Sequence, residues 1–109
     1  MVIPVDPVVH FEMPSKDKKR TAMFYSSVFG WKMQQLGAEM GDYLLAGTAP
    51  TDKNNMVTTP GAINGGFFSY GENGKIPHLV IAVQDLEKSM EKVENAGGKV
   101  AGKVMDILV

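Results

Sequence analysis

The alternation of apolar and polar residues in the first part of the chain predicts one strand, one helix and three further strands. The predicted strands are Val5–Met13, Trp31–Leu36, Asp42–Ala46 and Ile63–Tyr70. Pro14 is expected to end the first of them. Asp17 and Gly30 are suited to the two ends of the helix, because a carboxylate accepts the free N–H groups of a first turn and glycine readily adopts a left-handed helix-ending conformation.

The later part of the chain repeats the strand and helix pattern. His78–Val83 is a dense apolar run that predicts a strand, and Asp85 is suited to begin a helix. Gly97 and Gly98 are expected to end this helix. Apolar residues alternate in Lys99–Met105, which predicts one more strand.

An internal repeat relates the two strand–helix segments. Three pairs of like residues stand 68 positions apart, namely His10 and His78, Asp17 and Asp85, and Gly30 and Gly98. Matches of this kind in one register favour a duplicated unit. The alternative is that two unrelated strand–helix units look alike because helix caps and apolar stripes follow common rules.

With this repeat, the chain resembles the vicinal-oxygen-chelate superfamily of glyoxalases, bleomycin-resistance proteins and extradiol dioxygenases. The segments that carry the resemblance are VVHFEMPSKDKKRTAMFYSSVFGW and PHLVIAVQDLEKSMEKVENAGGKV, which look like the openings of the two modules of that family. The resemblance implies an α+β fold of paired βαβββ modules, with a mixed sheet around a cleft. We expect one domain over residues 1–109, with a first module at 4–70 and a truncated second module at 77–109.

The second module is expected to lack counterparts of the last two strands of the first. An incomplete module leaves a strand edge with unpaired N–H and C=O groups. This edge would belong to the Lys99–Met105 strand. We therefore expect a homodimer whose interface covers the incomplete module, by edge pairing or by exchange of modules between chains.

The resemblance also implies metal ligands on the first strand of each module, where the two histidines of this chain, His10 and His78, are found. Neutral imidazole is a good ligand for zinc, nickel, iron or manganese. The remaining two ligands of the family are usually carboxylates on the last strands, but the segment INGGFFSY contains none. Catalytic zinc normally has three protein ligands, so we expect a divalent metal to bind weakly or not at all.

Three further residues are candidates for the site. Glu12 is two residues from His10 and so shares its face of the strand; it is a candidate catalytic base or replacement ligand, and the alternative is an exposed salt-bridge partner. Phe68 and Tyr70 share one face of the last strand of the first module and are expected to line the cleft for a ligand.

These observations predict a small-molecule-binding protein of the glyoxalase and bleomycin-resistance type. The resemblance implies that an enzyme with this site would be a metal-dependent lyase, isomerase or dioxygenase, with His10 and His78 on the metal. One alternative is a metal-free module that sequesters a ligand without catalysis. Another is a purely structural or partner-binding domain, which a genuine repeat argues against because two equivalent modules create a shared cleft.

Composition limits the classes of binding partner and the cellular location that we expect. Eleven basic and twelve acidic residues nearly balance, which gives no electrostatic reason to expect nucleic acid or an anionic membrane. The chain has no cysteine, so disulfides and thiolate chemistry are excluded. The N-terminal residues lack the pattern of a signal peptide and no apolar run reaches membrane-spanning length. We expect a cytoplasmic protein.

Overall fold

The protein is described here by a computed structural model, which covers residues 5–72 and 74–105. The strands are β1 (Val8–Ser15), β2 (Lys32–Gln35), β3 (Leu44–Gly47), β4 (Asn64–Ser69) and β5 (His78–Ile81), and the α-helices are α1 (Lys18–Phe29) and α2 (Leu86–Asn95). The prediction of an α+β fold with a mixed sheet is confirmed. Its first five elements follow the predicted βαβββ order.

All five strands belong to one sheet, in the order β2-β3-β4-β1-β5. The central pair, β1 and β4, is parallel, whereas β5 runs antiparallel to β1 on its other side. The remaining neighbours are antiparallel, β3 with both β2 and β4. Strand β1 therefore lies between β4 and β5.

Helix α1 is capped at its two ends by the residues predicted from the sequence, Asp17 and Gly30. The Asp17 side chain accepts a hydrogen bond from the backbone N–H of Arg20, as a helix-capping residue does. Gly30 has φ of 72°, and its N–H donates to the carbonyl of Ser26. This left-handed end suits glycine because it has no Cβ to clash. Both predictions for the helix ends are confirmed.

One face of the sheet packs against α1 and forms the core. Its fully buried members are Leu44, Ala46 and Phe67. Partly buried residues that pack against them come from β1, α1, β2 and the turn between α1 and β2, namely Phe11, Met13, Ala22, Tyr25, Trp31 and Met33. Because side chains alternate along a strand, the residues between these core positions lie on the opposite face of the sheet.

The pairing of β1 with β5 agrees with the internal repeat. His10 lies opposite Val80, and Glu12 lies opposite His78. A shift of 68 residues turns each of these pairs into the other, as a two-fold axis through the neighbouring Phe11–Leu79 pair would require.

The predicted end of the first strand is wrong. Strand β1 does not end at Pro14, since Pro14 and Ser15 still pair with Phe68 and Ser69 of β4. The pairing with β5 stops at Glu12, so a missing N–H at Pro14 breaks no bond on that side.

The predicted strand at Lys99–Met105 is also wrong, because the structure has no strand there. Gly102 has φ of 78°, which is incompatible with an extended backbone. Alternating apolar residues were not enough to form a strand without a neighbouring strand to supply hydrogen bonds.

The chain divides into two compact units, residues 8–81 and a unit whose described residues are 5–7 and 82–105. In the second unit, the N–H of Ala82 donates to the carbonyl of Pro7, and Asp85 caps α2 by accepting from the N–H of Lys88. Neither of the two α-helices in the described residues is long and apolar enough to cross a membrane.

Candidate functional site

The candidate site lies on the face of the sheet opposite α1. His10 and Glu12 alternate along β1 with Phe11 and Met13, which pack against the core. The two polar side chains therefore extend from the other face, side by side. The sequence predicted this arrangement of His10 and Glu12.

Strand β5 brings the second histidine to the same place. His78 is the direct cross-strand partner of Glu12, and its Nε2 lies 2.5 Å from the Glu12 Oε1. The side chain of His78 is 51% exposed and that of Glu12 is 24% exposed. The contact therefore joins a solvent-accessible imidazole to a more enclosed carboxylate.

A tyrosine completes the group. Tyr43 directly precedes β3, and its hydroxyl lies 2.9 Å from the Nε2 of His10. Its ring lies over Gly66 of β4, where a Cβ atom would clash with the ring carbons and the hydroxyl. Glycine at this position therefore lets the tyrosine ring approach the strand closely. Sequence analysis missed Tyr43, although the paired glycines of β4 were a signal of such a close approach.

The electrostatics of the group centre on Glu12. Burial raises the pKa of the Tyr43 hydroxyl, and hydrogen bonding to Glu12 and the charge of its carboxylate raise this pKa further. Burial lowers the pKa of His10, an effect that the Glu12 charge partly opposes. At neutral pH the phenol is therefore protonated, and the neutral form of the His10 imidazole is favoured.

These contacts define a direction for the hydrogen bonds. An ionised carboxylate only accepts, so the Nε2–H of His78 donates to Glu12. If the Tyr43 hydroxyl also donates to Glu12, its oxygen accepts the Nε2–H of His10. We call these four side chains, His10, Tyr43, Glu12 and His78, the polar row. In this arrangement the Nδ1 of the neutral His10 imidazole remains an acceptor.

The two predicted aromatic ligand-binding residues lie in different surroundings. The Phe68 ring stacks on the His78 imidazole, with centroids 5.3 Å apart and planes 25° apart. Tyr70 instead follows the end of β4, where the Lys16 ammonium lies 4.5 Å from its ring centroid. The structure therefore joins Phe68 to the polar row and places Tyr70 beside Lys16.

The arrangement of these donors does not fit a bound metal ion. Within residues 5–72 and 74–105, no three His, Asp or Glu side chains form a group that could hold one. The His10 Nε2 faces the Tyr43 hydroxyl, and the His78 Nε2 faces Glu12. Imidazole binds a metal through a nitrogen lone pair, which a nitrogen that donates a proton does not offer, so neither Nε2 is available to a metal in this arrangement.

The βαβββ order, and the two first-strand histidines on one face of a mixed sheet, define a protein of the vicinal-oxygen-chelate class. Sequence comparison agrees: the profile described as Glyoxalase/Bleomycin resistance protein/Dioxygenase superfamily matches residues 8–107. The chain belongs to this superfamily. It is also 33% identical over 103 residues to a glyoxylase-like domain-containing protein of Didymella fabae, covering 88% of this chain and 72% of that protein.

Proposed function

We propose that this protein binds a small organic molecule at the polar row, on the sheet face opposite α1. The observation that carries the proposal is the row itself. Residues from β1, from β5 and from the position just before β3 converge there, with close polar contacts between His10 and Tyr43 and between Glu12 and His78. Superfamily membership supports the proposal, because the scaffold hosts binding proteins and enzymes alike.

The exposure of the row argues against a purely structural role. A polar network that only stabilises a fold is best enclosed, where each hydrogen bond is protected from water. Here His78 is half exposed, and the Nδ1 atoms of His10 and His78 have no protein partner among the hydrogen bonds of the described residues. Such groups can instead bind a ligand that carries hydrogen-bond donors.

The neighbouring ring adds an apolar component to the proposed site. Phe68 and His78 form a stacked pair, whose edge can contact a planar ligand. Small-molecule sites commonly combine such apolar surface with a few fixed polar groups. A ligand with adjacent hydroxyl groups on a flat ring meets both requirements, and catechol is a suitable probe. Its dimethyl ether keeps the ring and the oxygens but lacks the donors.

We expect catechol to bind the wild-type protein and Glu12→Gln to weaken this binding about tenfold. The amide replaces the charged acceptor that holds the His78 imidazole in place, and a hydrogen bond to a charged group contributes roughly 1.5–3 kcal/mol. Titration followed by protein NMR measures the dissociation constant and locates the shifted signals. Glu91→Gln is the matched control, since this substitution makes the same chemical change at an exposed position of α2.

Equal binding of catechol and its dimethyl ether would contradict the proposed use of donors. Shifts confined to residues away from the polar row would contradict the proposed location. The contacts at both Nε2 atoms favour a metal-free mode of binding over a metal-dependent lyase, isomerase or dioxygenase. We therefore expect the catechol affinity to be unchanged by a chelator, and a loss of binding in chelator would overturn that part of the proposal.

We also propose a homodimer that forms along β5, which lies at one edge of the five-stranded sheet. Leu79 and Ile81 of this strand are 62% and 54% exposed, and an exposed edge with apolar side chains favours pairing with another chain. Light scattering should show a dimer that Leu79→Lys converts to a monomer. Met23→Lys, at an exposed apolar position of α1, should leave it intact. A monomeric wild-type protein at tens of micromolar would disprove the dimer.

A further inference from the structure

We infer that Tyr43 keeps the polar row a hydrogen-bonding site and prevents it from becoming a metal centre. The inference rests on the proposed location of the site. It concerns whether the protein's own side chains hydrogen-bond to one another or bind a metal ion, however, and it is tested without any organic ligand.

The chain has the ligands that a metal centre needs. His10 and Glu12 share one face of β1, and His78 lies on the adjacent strand directly opposite Glu12. Two imidazoles and one carboxylate, with water at the open positions, form a common ligand set for divalent transition metals. The types of these side chains therefore suit a metal ion. The mismatch with a metal lies in how the side chains are held.

Two contacts hold them. Glu12 engages the Nε2 of His78, but this contact is between two groups that could both turn to a metal. The hydroxyl of Tyr43 engages the Nε2 of His10, and a protonated phenol is a poor metal ligand. Among the four side chains of the polar row, Tyr43 is therefore the one that competes with a metal for the Nε2 of an imidazole and offers no strong ligand in exchange.

The backbone fixes the position of this hydroxyl. Tyr43 directly precedes β3, whose residue Leu45 pairs with Gly66 of β4. The tyrosine ring lies against Gly66, in space that any Cβ at that position would fill. Its hydroxyl is thus placed next to His10 by strand pairing, so the competing hydrogen bond needs little ordering of a mobile side chain.

The direct test is Tyr43→Phe, which removes the hydroxyl and leaves the ring over Gly66. Zinc alone is titrated by calorimetry into protein without a histidine tag. We expect weak binding or none in the wild type, and an affinity at least tenfold higher in Tyr43→Phe. Tenfold corresponds to about 1.4 kcal/mol, the scale of one hydrogen bond that no longer has to be broken. The gain should disappear in Tyr43→Phe combined with His10→Ala, and again when combined with His78→Ala.

Tyr25→Phe is the matched control. Tyr25 loses the same hydroxyl, but its ring stacks on Trp31 on the core side of the sheet, so zinc affinity should stay at the wild-type value. Equal zinc affinity in the wild type and Tyr43→Phe would overturn the inference. A gain that survives the removal of His10 would overturn it as well.

NMR of the 15N-labelled imidazoles tests the wild type alone, should Tyr43→Phe fail to fold. We expect the neutral His10 ring to carry its proton on Nε2. Stoichiometric zinc binding to the wild type through either nitrogen of His10 would show that Tyr43 does not keep metal out. Failure of catechol to bind would disprove the proposed function and leave the zinc result unaffected, so the two ideas can fail separately.

Discussion

Phe67→Ala should lower the free energy of unfolding by about 3–5 kcal/mol, the usual cost of removing a buried phenylalanine ring. Phe67 is 2% exposed and belongs to the core with Leu44 and Ala46. Its ring also lies 5.2 Å from that of Tyr25 of α1. The substitution therefore leaves a cavity between sheet and helix, in a chain whose total stability is expected to be about 5–15 kcal/mol.

Phe68→Ala is the matched control for this prediction. It removes the same ring one residue later, on the opposite face of β4, where Phe68 is only partly buried and stacks on His78. We expect a clearly smaller loss of stability and weaker binding of catechol. Urea denaturation measures both free energies of unfolding. Equal losses for the two variants would show that the two faces of β4 are not divided into core and site.

The difference between these neighbours was predictable from the sequence, because alternation along a strand is a local property. The same holds for the caps of α1 and α2, where Asp17 and Asp85 accept hydrogen bonds from nearby N–H groups. The repeat and the family resemblance placed His10 and His78 on the first strands of two equivalent segments, but they did not predict that these two strands pair. These features depend on short segments or on comparison between two segments of the chain.

The features that sequence analysis missed depend on contacts between distant segments. Tyr43 meets His10 across 33 residues because β3, β4 and β1 are neighbours in the sheet, and no local pattern around Tyr43 indicates this. Tyr70 was predicted to share a face of the strand with Phe68. Strand β4 ends before Tyr70, however, so its ring contacts Lys16 instead. The strand predicted around Gly102 failed because a strand also requires a partner.

The polar row is not symmetric, although the 68-residue repeat relates its two histidines. The shift of 68 residues relates Glu12 to Val80, so one half of the repeat has a carboxylate where the other has an apolar side chain. His78 consequently pairs with Glu12, whereas His10 lies opposite Val80 and meets Tyr43. The two histidines stand at equivalent positions of the 68-residue shift but have different hydrogen-bond partners, and they are expected to play different parts in binding.

The position that connects fold and site is Gly66, and Gly66→Ala should destabilise the protein by about 1–3 kcal/mol, the usual cost of overpacking. The added methyl group would overlap the Tyr43 ring. Moving the ring away would also break the contact of its hydroxyl with His10. Gly71→Ala is the control, because a Cβ there meets no atom within 4 Å and its backbone is not left-handed; its effect should stay within about 0.5 kcal/mol.

A double-mutant cycle separates this clash from a general effect of alanine in β4. Tyr43→Ala removes the ring, so Gly66→Ala should be nearly neutral in that background, and the coupling free energy should be at least about 1 kcal/mol. Urea denaturation of the four proteins gives the cycle, and the NMR signals of His10 report whether its partner has moved. Additive losses, with the His10 signals unchanged in Gly66→Ala, would mean that Gly66 does not position Tyr43. In that case the approach of the tyrosine hydroxyl to His10 would need another cause, such as the turn that leads into β3.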